Sequence, residues 1–450
     1  MPASVRGRAS TNWALTGLTG PQRLVDKRNS HERIHKIWQG LRVSSSFGWI
    51  DFAEEDRRRM TDVVSLFREQ DTRDELGLGT VRDAFSNLFF PGITTIQTRA
   101  KYMLLVPWIY RRRERLRTPS KDVARLARRD ELTLIRALLD SEDTEGVIGK
   151  EARNKLQRLP SSIYWSGLGT WGIRLFRGSQ AQYHRSLDTF HARRKEQRQQ
   201  ARQEREHADI RVEENWDPGL PKVPKGFPHE ASLSLTGRQS DYLQHRIMTN
   251  CGHSLLAFLV DETSLTQGID FAWQHPGLAR FPRWLRDQVQ HAQNFSEVMH
   301  GAMLLYNFML SEKTGWERHI DKYRDSLDEW WGRIVFPRRA ELSRWNLDKF
   351  WQVAASGGAK IPWRTRQFVE SWIGLVLESD RDLVGLLKNE NARNLIYDRE
   401  VALKRSRARL QSQRALELWG GEAGTAPLDY RWEVGSTIVD DMLRGRHNGA

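Results

Sequence analysis

The chain carries a single cysteine, Cys251, which excludes an internal disulfide and any zinc site built on several thiolates. That thiol lies between apolar helical segments (HRIMTNCGHSLLAFLV) and reads as buried and inert, even with His253 two residues on. No apolar run approaches the ~20 residues of a bilayer span. The N-terminus also lacks the apolar core of a secretion signal. A cytoplasmic protein with no membrane partner is therefore expected.

Signatures of chemistry are missing as well. There is no GxxxxGK(S/T) phosphate loop, no GxSxG elbow and no HKD phosphodiesterase pattern. The acidic residues form no Asp…Glu-x-Lys arrangement of a metal-dependent nuclease. Lys388-Asn389-Glu390 has that spacing only in reverse, in a polar stretch. Gly77-Leu78-Gly79 is half of a dinucleotide fingerprint and reads as a turn. His291 and His300 fall on different sides of one predicted helix and do not share a metal. His31-Glu32-Arg33-Ile34-His35 has the spacing of a zinc metalloprotease helix but sits in a polar tail, where chance accounts for it. No catalytic residue, metal site or cofactor is expected.

Acid is also in short supply. There are 57 Asp and Glu against 71 Lys and Arg, a net charge of +14, and such an excess points to an anionic partner, nucleic acid being the commonest. Eighteen tryptophans exceed ordinary usage. Several (Trp108, Trp165, Trp171, Trp330, Trp331, Trp363, Trp432) have polar or charged neighbours, as where an indole packs its body and places its N–H on a partner. Base-stacking indoles would look the same, but most of these fall on apolar helical stripes and read as core.

The pattern along the chain is helix after helix, with no sustained β alternation. The fold expected is all-α, a multi-helix globular protein of two helical subdomains joined by a charged, Pro-rich segment. Residues 1–42 form a basic, poorly ordered extension, with eight basic residues against two acidic. An N-terminal helical domain covers 43–180, a charged helix and Pro-rich linker 181–230, and a C-terminal helical domain 231–450. Val43 is a candidate natural start. Thr94 with Gln97 has the form of a capping box opening a helix that Pro107 kinks and Trp108 anchors. Further helices are predicted at 121–139, 148–158, 162–175, 181–207, 281–312, 315–334, 364–378, 380–388 and 391–418. Between 148 and 173 a helix, a Leu-Pro-Ser break and a second helix have the layout of a DNA-reading helix-turn-helix, with Ser161 or Ser162 as cap and Tyr164 or Arg174 toward the ligand.

Three basic stretches are candidates for phosphate contact. Arg99 through Lys121 holds eight basic residues against Glu114 alone. Within it Arg99, Lys101, Arg111, Arg112, Arg113, Arg115 and Arg117 are nucleic-acid candidates, since a packed helix would deliver its arginines to the surface. Compensation of a helix dipole is the plainer account of the same arginines. The second stretch runs from 392 to 414 and offers Lys404, Arg405, Arg407, Arg409 and Arg414. The third, Arg193 to Arg205, is balanced by Glu196 and Glu204 and reads as a solvated arm.

The runs SSSFGWIDFAEEDRRRM, LGLGTVRDAFSNLFFPG, TIQTRAKYMLLVPWIY, NFSEVMHGAMLLYNFML and ALELWGG…LDYRW resemble an uncharacterised bacterial family of unknown function, from Ser44 to about residue 445. That resemblance implies a companion component of anti-phage defence loci, near helicase and phospholipase-D-type nuclease genes, and it carries no catalytic residues over. The expectation is a non-catalytic component of such an assembly that contacts nucleic acid, DNA ahead of RNA, and that has a helicase or nuclease subunit as partner. Two alternatives stand beside it: a scaffold binding an acidic partner subunit, and a nuclease whose site the sequence does not disclose.

Overall fold

Apolar residues at helical spacing, punctuated by Pro, Gly and side-chain caps, wind this chain into successive helices. The computed structural model describes residues 74–152, 156–203, 214–262, 266, 268–379 and 383–447. The expected extension 1–42, its His31–His35 spacing and the Val43 start lie outside them. In order, the helices are α1 (Gly79–Phe89), α2 (Tyr102–Arg115), α3 (Ser120–Leu139), α4 (Pro160–Thr170), α5 (Gln180–Gln203), α6 (Gly237–Cys251), α7 (Leu255–Asp261) and α8 (Arg283–Thr314). There follow α9 (Glu317–Trp330), a π turn (Trp331–Val335), α10 (Phe336–Leu342), α11 (Leu347–Ser356), α12 (Trp363–Glu378), α13 (Leu383–Lys388), α14 (Glu390–Lys404), α15 (Gln413–Leu416) and α16 (Trp432–His447). No strand occurs among the described residues, where one isolated bridge joins Arg174 and Trp216. The protein is all-α.

Caps explain many of the boundaries. Thr236 and Gln239 form a capping box before α6, and Ser254, Asn346 and Asn389 accept from the first turns of α7, α11 and α14. Asn389 thus has a structural duty. The Gly77-Leu78-Gly79 segment is a turn: Gly77 takes a positive φ of 68°, and the Asp74 carboxylate accepts from the backbone N–H of Leu78 and Gly79.

The core is organised around α8, 32 residues long and buried almost all round from Phe295 to Ser311. It stops at Gly315, which adopts the left-handed conformation. α9 folds back against it. Gly301 lets the Trp330 ring approach so closely that a Cβ there would lie 2.1 Å from it. The Trp330 indole N–H then donates to the Glu297 carbonyl at 2.7 Å. The core reading of the tryptophans holds for most of those singled out. Trp108, Trp171, Trp330 and Trp432 are almost fully buried, and their N–H groups donate to the carbonyls of Pro221, Pro91, Glu297 and Ile269. Cys251 is buried and its thiol pushed up to about 11 by desolvation, as expected of an inert cysteine.

Four local expectations are corrected. Thr94–Gln97 is a turn, because the Gln97 amide donates to the Gly92 carbonyl; α2 opens only at Tyr102. The described residues of 148–158 form no helix, so the expected helix-turn-helix is not seen among them. Its would-be reading helix, α4, is packed inside: Ser161 donates to Glu131, and the Tyr164 hydroxyl binds the backbone of Thr98 and Arg99. The helix expected over 391–418 ends at Lys404, where Arg405 turns to φ 52°. The Pro-rich stretch 216–228 is packed rather than free, since Trp216, Leu220 and Phe227 are buried and Trp216 stacks on Tyr110 at 5.8 Å. Burying three apolar side chains of that size is strongly favourable.

The LDYRW motif forms the turn into α16. Tyr430 and Arg431 both adopt positive φ. Tyr430 donates to the Ala292 carbonyl of α8, and Arg431 donates to Asn87 and the Ile93 carbonyl. Two left-handed non-glycine residues are held there by partners from three segments.

Gly301→Ala is expected to lower stability by about 1–3 kcal/mol, because the added methyl has nowhere to go. Gly374→Ala, in the open interior of α12 with nothing near its Cβ position, should instead raise it by about 0.5–1 kcal/mol. Thermal or denaturant unfolding of the pair checks both signs.

Candidate nucleic-acid interface

The apolar run YMLLVPWIY places α2 in the core, with every residue from Tyr102 to Tyr110 buried. A buried helix does not deliver all of its polar end to solvent. Arg113 and Glu114 stay inside. The Arg113 guanidinium donates to the Asp130 carboxylate of α3, with Nε at 2.7 Å, and Arg112 donates to the same oxygen at 3.0 Å. Glu114 accepts from the Tyr183 hydroxyl at 2.6 Å, the Asn215 amide at 2.9 Å and the Trp216 indole at 3.2 Å. Burial raises its pKa. Glu131 accepts from the Ser161 N–H and hydroxyl, both at 2.8 Å. Desolvation pushes its carboxyl up to about 7.

Glu114, Asp130 and Glu131 therefore face inward, with Asp122 half-buried, and the cations left over face out. Val123, Ala127, Leu134, Ile135 and Leu138 form the buried stripe of α3. Lys121, Arg125 and Arg129 recur four residues apart on the exposed side. Arg115 and Arg117, at the exit of α2 just ahead of Ser120, are exposed as well. Two acids lie beside these five: Asp122, half-buried and paired with Arg125 at 3.0 Å, and the exposed Asp188. Asp188 of α5 accepts from the Ser120 N–H at 3.0 Å and so caps the start of the helix. Arg117 occupies the left-handed position that closes α2, φ 47°, with Thr118 N–H donating to the Arg113 carbonyl at 3.1 Å. Arginine stands where glycine is the unstrained residue.

The twelve sequence candidates thus separate. Arg99 pairs with Asp441 at 2.9 Å and Asp143 at 2.7 Å. Lys101 is buried, donates to the Ser234 carbonyl and the Gln239 side chain, and is lowered by desolvation to about 8. Arg111, half-buried, donates to the Leu220 carbonyl at 3.3 Å. Arg112 and Arg113 serve Asp130. Lys404 and Arg409 converge on Glu75, with the Tyr306 hydroxyl and Glu400 alongside. Arg115, Arg117, Arg405, Arg407 and Arg414 are exposed. Arg125 and Arg129 were not among the candidates, although the four-residue spacing of cations opposite an apolar stripe was readable.

His291 is buried and accepts from the Trp345 indole at 2.8 Å, lowered to about 4 by burial. No group of three or more His, Cys, Asp or Glu that could hold a metal occurs among the described residues, and no helix described is long and apolar enough to cross a membrane.

The fold and this face define a class: an all-α protein that buries Glu114, Asp130 and Glu131 and displays cations along one helix. The chain belongs to the family of unknown function DUF6361, whose model matches residues 44–444. No curated protein and no solved structure matches it.

Asp130→Ala should cost about 3–5 kcal/mol, because it strands the buried Arg113 guanidinium. Arg117→Gly should be neutral or stabilising, since it removes the left-handed strain; chemical denaturation distinguishes the two. Glu131 has a folded-state pKa above its unfolded one. Its contribution is therefore fully favourable below about pH 4.5 and is lost as pH rises through about 7. Glu131→Gln should flatten that decline, by up to about 3 kcal/mol, read as the difference between the two stability–pH curves.

Proposed function

We propose that this protein contacts nucleic acid phosphates, DNA ahead of RNA, through the exposed cations of α3 and the α2 exit: Arg115, Arg117, Lys121, Arg125 and Arg129. The observation that carries this reading is the inward placement of Glu114, Asp130 and Glu131. It leaves a row of cations with two carboxylates beside it, half-buried Asp122 and exposed Asp188 at the helix start. Guanidinium groups spaced along a helix suit a row of phosphates, each contact releasing condensed counterions. The role assigned is positioning on the backbone rather than reading of bases. The resemblance carried by the LGLGTVRDAFSNLFFPG, TIQTRAKYMLLVPWIY and LDYRW motifs supports a setting in an anti-phage defence assembly, beside a helicase or nuclease subunit.

Wild-type protein should bind a labelled duplex at ~50 mM salt and lose that affinity steeply by ~200 mM. The double reversal Arg125→Glu, Arg129→Glu should reduce binding by on the order of tenfold or more and lower the salt slope by about two, while circular dichroism stays unchanged. Unchanged affinity in the folded double variant would reject this face. Loss of phage resistance in cells carrying the same variant tests the setting; full resistance sinks it.

A further inference from the structure

Trp363 departs from the burial of most of the described indoles. It opens α12 and is 66% exposed, the most exposed tryptophan among the described residues. The Arg364 guanidinium lies 5.6 Å from its ring centroid. Its exposed neighbours are polar or cyclic rather than aliphatic: Lys360, Pro362, Arg364 and Gln367. Arg366 is half-buried, 5.4 Å from the Trp351 ring.

Charge around this indole is one-sided. From Lys349 to Val369 the chain contains no Asp or Glu. The next acid, Glu370, accepts from the Trp351 indole at 2.6 Å, and Lys349 is held by Asp287 at 2.6 Å. Whatever covers Trp363 meets a flat aromatic face flanked by cations, with no carboxylate on the same stretch. An apolar protein anchor would gain little from such a rim. An unpaired nucleobase suits both parts, its π-face on the indole and its flanking phosphates on Lys360 and Arg364. Bases inside a duplex are already stacked on one another and present no such face.

We propose that Trp363, with Lys360 and Arg364, is a base-stacking site for single-stranded nucleic acid. It rests on the reading that the protein contacts nucleic acid, and adds the form of that nucleic acid and a second place where it is held.

The test is fluorescence anisotropy of the full chain with a labelled oligothymidylate, and with the same strand made abasic, at ~50 mM salt. Trp363→Ala should weaken oligothymidylate binding by on the order of tenfold and leave abasic binding unchanged. Trp363→Phe should retain most of the affinity. Arg364→Glu should lower the salt slope, whereas Trp363→Ala should not. The ring is exposed, so the thermal midpoint of Trp363→Ala should match wild type. Equal oligothymidylate affinity for wild type and Trp363→Ala, or an equal loss on the abasic strand, overturns the stacking site. Duplex binding through α3 would stand untouched by that result. Failure of wild type to bind either duplex or single strand overturns both readings.

Discussion

A carboxylate withdrawn from water has to be met by donors, and this chain withdraws Glu75, Glu114, Asp130, Glu131, Glu400, Asp440 and Asp441. Their partners come from far along the sequence. Glu75 holds Lys404 and Arg409, and Asp441 holds Arg99 and the Ala100 N–H. Asp440 accepts from Thr266, and Glu114 gathers Tyr183, Asn215 and Trp216. These contacts knit the two ends of the described chain into one body. They also decide which cations reach solvent. Glu75, Asp130 and Asp441 each take one or two basic side chains from the surface, and Lys121, Arg125 and Arg129 are among the cations left exposed along α3.

The indoles obey a related constraint. A buried N–H needs an acceptor, and for several of these indoles a backbone carbonyl supplies it. Trp108 reaches Pro221 and thereby pins the Pro-rich segment against α2. Trp171 reaches Pro91, and Trp432 reaches Ile269. A stretch with the composition of a linker became part of the core because three of its side chains are large and apolar. Trp363 escapes this constraint, and for that reason its exposure carries information.

Helices with a clean amphipathic period were legible nearly to the residue. The segment 121–139 is α3, and 281–312 became Arg283–Thr314. Failures fell where a side chain had two possible duties. Gln97 could close a capping box or bind Gly92, and it binds Gly92. Ser161 could cap a recognition helix or satisfy Glu131, and the buried carboxylate claims it. Beyond Lys404 the helical pattern continues on paper, yet Arg409 and Leu410 turn their backbone N–H groups onto Glu400. That contact is incompatible with continued helix. The candidate site was half legible for the same reason: basic clusters are visible in sequence, but the acids that neutralise them sit on other segments, from Asp130 on α3 to Asp441 and Glu75 some hundreds of positions away.

By itself the sequence determined the all-α class, the single buried thiol, the excess of positive charge and the positions of the strongest helices, since these follow from composition and local periodicity. Tertiary structure alone decided which arginines are internal counterions and which face solvent, because that depends on desolvated carboxylates brought together from distant segments. It also decided that Trp363 stands outside the core. Burial is a property of the assembled chain, and no local pattern encodes it.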